Sequence, residues 1–331
     1  MRRIFVILTV VCMLSSCGGN DKPAGTAVKQ KKNDVVVPAF NADSAYGFVE
    51  RQLSFGPRVP GSIAHEQCAE WFVSKLNAWA DSVFVQDFRC RLFDGKTVDG
   101  KNIIASYNIE AHKRIIIASH WDSRPYADND PDEANWKKPI DGANDGASGC
   151  GILLELARIM HLTPLDIGVD LIFFDVEDHG TPRWADDNRY SDNSWCLGSQ
   201  YWAKNPHYNG YSANFGILLD MVGASNPRFP KEYYSQRDAA WVLNKVWRIA
   251  RDMGYDQFFV NELGDPINDD HIYVNQYAGI PTIDIIHLVG DEDRTSSFYP
   301  YWHTMNDNLE QIDPKTLQMV GNVVTSVLYR E

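Results

Sequence analysis

Val169-Asp170-Leu171-Ile172-Phe173-Phe174-Asp175-Val176-Glu177-Asp178-His179 is the stretch that decides the fold. Four large apolar side chains stand in a row at its centre, and it ends abruptly on two acids and an imidazole. A strand that is apolar on successive residues buries both faces, as in a parallel sheet covered by helices. Arg114 to Ser119, Phe215 to Met221 and Pro281 to His287 read the same way. Asn102 to Tyr107 is a further β-rich run, and Ser82 to Leu92 alternates like a half-exposed strand. Helical spacing marks Asp43 to Leu53, His65 to Trp79, Ser148 to Met160 and Ala239 to Met253. Asp313-Pro314 supplies the N-cap and first position of a last helix, to about Tyr329. Apolar strands alternating with helices predict an α/β three-layer sandwich, with a largely parallel central sheet and helices on both faces.

In such sheets ligands gather beyond the carboxyl ends of the strands. His120-Trp121-Asp122 follows Ile117-Ala118-Ser119, Glu177-Asp178-His179 follows the decisive strand, and Asp220 follows Ile217-Leu218-Leu219. Asp145 sits in the glycine-rich turn Gly142 to Gly149, and His303 in Tyr301-Trp302-His303-Thr304. Acids at the ends of buried strands are costly unless they share a cation or a partner. Imidazole nitrogen combined with carboxylate oxygen is the donor set of a catalytic zinc. The chain has no Gly-x-Ser-x-Gly elbow, no Gly-x-x-x-x-Gly-Lys followed by the Ser or Thr of a phosphate loop, and no His-Glu-x-x-His.

The 331 residues are 44% hydrophobic and 23% charged, the balance of a globular chain. Forty-four acids against 31 bases leave a net charge of -13, which repels a phosphate backbone and weighs against nucleic-acid partners. Ten Trp, fifteen Tyr and fifteen Phe point to an aromatic-lined pocket. At the N-terminus, Arg2-Arg3, the apolar run Ile4 to Leu14 and Leu14-Ser15-Ser16-Cys17 resemble a bacterial lipoprotein signal. That resemblance implies a cleaved signal peptide at 1–16, a lipidated Cys17, and a polar tether over 17–38. A single catalytic domain, 39–331, would then be held in the periplasm on a bacterial membrane. Cys68, Cys90, Cys150 and Cys196 would stand in an oxidising compartment, where disulfides are permitted in any of three pairings.

His120-x-Asp122, Asp145, Glu177-Asp178, Asp220 and His303 together resemble the zinc aminopeptidase superfamily. Three stretches resemble its glutaminyl cyclases more closely: Leu218 to Pro227, Asp269-Asp270-His271-Ile272, and Trp302 to Asn308. The resemblance implies cyclisation of N-terminal glutaminyl residues of peptides or proteins to pyroglutamate, with one zinc per chain on Asp145, Asp178 and His303. It makes Glu177 the general acid/base, with Asp220 and Asp269 networked beside it, and lines the pocket with Trp184, Phe298 and Trp302. His120 matches a second-zinc position of the peptidases, and Asp122 stands there as ligand or support. The tandem acid of the superfamily is usually Glu-Glu; here it is Glu177-Asp178, one methylene shorter with the same oxygens. A two-zinc aminopeptidase would find every ligand it needs in the same residues. A metal-free lipoprotein binding peptide or glycan is the reading from a different class. Ammonia release from Gln-peptides, hydrolysis of Leu-amides and zinc content separate the three.

Overall fold

Ile115, Ile117, Leu171, Phe173, Ile217 and Leu219 pack into one buried cluster, while Ile116, Ala118, Ile172, Phe174 and Leu218 pack into another. Successive residues of one strand point to opposite faces. The continuous apolar runs therefore feed two cores, one on each side of a single sheet.

The computed structural model describes residues 36–185, 192–290 and 297–331. The expected signal peptide, Cys17 and the tether up to residue 35 lie outside the described residues. The strands are β1 (Ser82–Arg91), β2 (Thr97–Tyr107), β3 (Arg114–His120), β4 (Gly168–Phe174), β5 (Phe215–Asp220), β6 (Phe229–Lys231), β7 (Phe259–Leu263) and β8 (Thr282–Ile286). The helices are α1 (Ala42–Leu53), α2 (Ile63–Asn77), α3 (Ser148–Leu162), α4 (Leu197–Lys204), α5 (Tyr233–Asp238), α6 (Ala240–Asp252), α7 (Asp270–Tyr273) and α8 (Pro314–Tyr329). The main sheet runs β1-β2-β4-β3-β5-β8. β2 lies antiparallel to both its neighbours, whereas β4, β3, β5 and β8 pair in parallel, so β2 is the one reversed strand of the six. β6 and β7 form a separate parallel pair. α1, α3, α6 and α8 pack together over one face. α4 and the segment around Val274 cover the other, with Trp202 fully buried between. No helix among the described residues is long and apolar enough to cross a membrane.

Most boundaries shift by one or two residues from the sequence reading, and two of the differences have a clear structural cause. β2 begins at Thr97 rather than Asn102, because Thr97 to Gly100 pair with Phe88 to Arg91 in a hairpin. That half of the hairpin is held by backbone bonds with little burial, so its sequence carries no apolar signal. β4 ends at Phe174 rather than Val176. The Asp175 carboxylate, 3.0 Å from His65 Nε2, accepts from the Lys101 amide, and Val176 turns the chain out at φ 54.

Register decides where the polar residues fall. His120 lies opposite Phe174 across β3 and β4, and β5 ends on Asp220. From β3 the chain crosses to β4 on one side and then returns to β5 on the other. The strand order thus reverses around β3, which is where α/β sheets open a crevice at their carboxyl ends.

Candidate active site

Asp145 reaches this crevice from a loop that the chain forces into an unusual path. Gly142 (φ 58) and Gly146 (φ 95) flank it, and Asp145 itself leaves helical geometry at φ -83, ψ 98. A Cβ on Gly146 would come within 2.7 Å of the Asp122 carbonyl oxygen and 3.0 Å of the His120 ring, so glycine is required there. Asp307 then pins the loop, accepting the amides of Asn144 (2.9 Å) and Asp145 (3.1 Å) while Tyr299 donates to it at 2.6 Å.

Glu177 and Asp178 are placed by Asp122, whose two oxygens accept the amides of Glu177 (3.1 Å) and Asp178 (3.2 Å). Asp122 is therefore a brace for the tandem acid, with His120 Nδ1 3.6 Å away. His303, in the left-handed region at φ 56, comes from the far end of the chain. Its Nε2 lies 2.9 Å from Asp178 Oδ1 and 3.7 Å from Asp145 Oδ2. On its other side Nδ1 faces Asp128 at 3.3 Å, and Arg124 holds Asp128 through two bonds of 3.0 and 2.7 Å. Burial pushes the Asp128 carboxyl up, but Arg124 and His303 outweigh it and hold the group well below the usual range. A carboxylate behind the imidazole is how metal-binding histidines are oriented.

Asp145, Asp178 and His303 fit a zinc ion. One donor atom from each lies within 4.8 Å of the others, and Asp145 Oδ2 and Asp178 Oδ2 are buried with no hydrogen-bond partner. Two unpaired carboxylate oxygens facing an imidazole nitrogen are an unstable arrangement until a cation joins them. His120, Asp145 and Asp220 make a second such group, His120 Nε2 lying 3.0 Å from Asp145 Oδ1 and 3.3 Å from Asp220 Oδ1.

Glu177 is nearly buried beside the first group. Burial raises its pKa well above the usual value, reinforced by the charges of Asp178, Asp269 and Asp270 and opposed by His120. Asp269, which caps α7 by accepting the Asp270 amide, is pushed up to about 6, chiefly by burial and by Asp220. Burial raises Asp220 as well. The expected trio of Glu177, Asp220 and Asp269 is thus assembled from three separate elements. Asp284 of β8 joins its buried acidic surroundings, and its carboxyl is also raised well above the ordinary value by burial and by Asp269.

These groups floor a cleft of about 880 Å³. Phe298 and Trp302 line it, with Trp302 stacked on His303 (ring centroids 3.7 Å apart) and tilted against Phe298 (4.2 Å). Trp184 does not. It lies against Tyr126 and Trp136, with ring centroids at 5.0 and 6.3 Å, and Trp195 takes the wall position, parallel to the His303 ring at 6.0 Å. The excursion from 180 to 194 turns its own tryptophan back onto Trp136. The one that follows it, just before α4, faces the cleft. Residues 186–191 of that excursion lie outside the described residues.

The disulfides that the sequence leaves open are absent among the described residues. Cys68, Cys90, Cys150 and Cys196 are all free thiols. They sit on α2, β1, α3 and the start of α4, and three of them have other partners: Cys90 Sγ lies 4.0 Å from the Val98 carbonyl oxygen, Cys150 Sγ 3.0 Å from the His120 carbonyl oxygen, and Cys196 Sγ 3.1 Å from Glu177 Oε1. Sequence reading missed Asp128, Arg124, Asp307 and Cys196 as site residues. Arg124 and Asp128 stand four residues apart with opposite charge, which is the only local signal any of them carries.

The model of peptidase family M28 matches residues 102–328. A glutaminyl cyclase of Bacteroides thetaiotaomicron, solved with N-acetylhistamine, is 48% identical with a TM-score of 0.86, over 89% of this chain and all of that one. A Zn-dependent exopeptidase from Parabacteroides distasonis is likewise 48% identical with a TM-score of 0.87, over 89% of this chain and 100% of its own. The glutaminyl-peptide cyclotransferase of the snake Bothrops jararaca is 32% identical over 252 residues, 67% of this chain; the chain spans 63% of that relative's length. Matched over this length and through these residues, the chain belongs to peptidase family M28, in the zinc aminopeptidase-like superfamily that holds the glutaminyl cyclases.

Proposed function

We propose that this protein cyclises N-terminal glutaminyl residues of peptides or proteins to pyroglutamate, releasing ammonia, with one zinc per chain on Asp145, Asp178 and His303. The observation that carries this reading is the cleft floor. All three ligands face the cleft with Glu177 beside them, whereas His120 is buried behind, engaged with Asp145 and Asp220. The substrate's α-amine attacks its own side-chain amide carbon, so the ring C–N bond forms as the bond to the NH₂ group breaks. A bound zinc supplies Lewis acidity toward the amide oxygen. Glu177 takes the proton from the attacking amine and returns it to the departing nitrogen, a task suited to a carboxyl whose burial has raised its pKa well above the ordinary value. Asp269 orients the leaving NH₂ group. Phe298, Trp302 and Trp195 exclude water and grip the glutaminyl side chain.

A two-zinc aminopeptidase is the second reading, favoured by the group of His120, Asp145 and Asp220 that shares Asp145 with the first. Purified protein assayed for metal, for ammonia release from a Gln-peptide and for Leu-amide hydrolysis separates the two. One zinc per chain with pyroglutamate formation supports the cyclase. Two zincs with amide hydrolysis and no pyroglutamate overturn it.

The N-terminal sequence supports a further proposal, that Cys17 is lipidated and anchors the protein to a bacterial membrane in the periplasm. Mass spectrometry of the mature N-terminus tests it: a diacylated Cys17 is expected, and an unmodified Met1 overturns it.

A further inference from the structure

The geometry points to Cys196 as a positioning residue that holds the Glu177 carboxylate by one oxygen and leaves the other free for proton transfer. The inference rests on the cyclase reading of the site and adds a residue to it. Cys196 is fully buried, and its Sγ lies 3.1 Å from Glu177 Oε1. Burial first, and then the surrounding acids, keep the thiol pKa well above its ordinary value. The sulfur is therefore protonated and acts as donor, with Oε1 as acceptor. Glu177 Oε2 is the oxygen on the His120 side, 4.0 Å from Nδ1. Asp269 closes the group, since one donor atom from each of Glu177, Cys196 and Asp269 lies within 4.8 Å of the others.

The backbone is built to deliver that thiol. Cys196 occupies the left-handed region at φ 56, ψ 37, at the entrance to α4, a conformation that a non-glycine residue adopts only where its surroundings impose it. The Cys196 amide donates to the Glu177 carbonyl at 2.9 Å, and the Leu197 amide to the Val176 carbonyl at 3.0 Å. Val176 is itself at φ 54, unusual for a β-branched residue. Two backbone bonds thus clamp 196–197 to 176–177 just beyond the end of β4, and the clamp sets the thiol against the carboxylate. A thiol suits the position because it is a weak donor. It fixes the orientation of Glu177 through a weaker bond than a hydroxyl or amide would make.

The test compares full-length wild type, Cys196→Ala and Cys196→Ser on a Gln-peptide, reading kcat, KM and zinc content. Removing a hydrogen bond to a charged group that acts during proton transfer is expected to lower kcat about tenfold in Cys196→Ala. KM and zinc content stay at wild-type values, and Cys196→Ser falls between Ala and wild type because its hydroxyl restores a donor. In a Glu177→Gln background, Cys196→Ala is expected to cause no further loss. Wild-type kcat in Cys196→Ala overturns the inference, as does a full tenfold loss in the Glu177→Gln background, which would assign the effect to packing. A wild type that forms no pyroglutamate at all would instead refute the cyclase reading and is seen before any variant is made.

Discussion

The Glu177 carboxyl takes its character from what meets it at the end of β4. Asp122 fixes its amide, Cys196 lies against one oxygen, and burial among Asp178, Asp269 and Asp270 raises its pKa. Glu177→Gln preserves shape and hydrogen bonding but removes the proton carrier. Turnover of a Gln-peptide is expected to fall about 10²–10⁴-fold with zinc content unchanged, measured by ammonia release alongside elemental analysis. Normal turnover would remove Glu177 from the chemistry. Asp128 belongs to the same scale, because it touches only the far nitrogen of His303. Asp128→Ala is expected to weaken zinc binding about 10–100-fold in a chelator competition, and unchanged affinity would deny it an orienting role. Residue types at strand ends made the rim of acids and histidines legible. Asp128 and Cys196 were not legible, because each acts on a residue distant in sequence.

At the scale of elements, β3, β4, β5 and β8 were readable because burial on both faces writes a continuous apolar run. β6 and β7 were not, being a three-residue and a five-residue strand whose pairing shifts register between Phe229 and Lys231. One polar feature interrupts the central runs. Asp170 of β4 is fully buried, bonded by Arg114 of β3 at 2.8 and 2.7 Å and by the hydroxyls of Ser106 (2.6 Å) and Tyr211 (2.8 Å). This pair sets the β3–β4 register from within, and breaking it strands a charge. Arg114→Leu is expected to cost about 3–5 kcal/mol, measured by urea unfolding, while the double variant Arg114→Leu/Asp170→Leu recovers much of that loss. A loss below about 1 kcal/mol in the single variant would show that the pair is solvated in solution.

The whole molecule carries its buried ionisable groups into its pH dependence. Burial, with a smaller contribution from Arg228, lowers the pKa of His287 from 6.5 to about 4. The unfolded chain therefore takes up this proton first as pH falls, and the folded state loses stability between about pH 6.5 and 4. A drop of that size corresponds to about 3 kcal/mol at most. In zinc-loaded protein, His287→Gln is expected to flatten the stability profile over that window relative to wild type, read from denaturant midpoints at each pH. Parallel profiles would mean that His287 titrates normally. Glu232 adds to the acid sensitivity lower down. Burial raises it, but His271 and the amides of Ser235 and Tyr234 prevail and hold it at about 2, so its stabilisation is lost as pH falls from the ordinary carboxylate range toward that value.

By itself the sequence determined the layered α/β architecture and the rim on which the acids and histidines gather, because local periodicity and strand-end chemistry are both written in short windows. Only the tertiary structure decided that Trp195 rather than Trp184 forms the cleft wall, that Asp122 accepts the amides of the tandem acid, and that the four thiols stay unpaired. Each of those depends on which distant segment arrives beside a residue, and that is set by the packing of the whole chain.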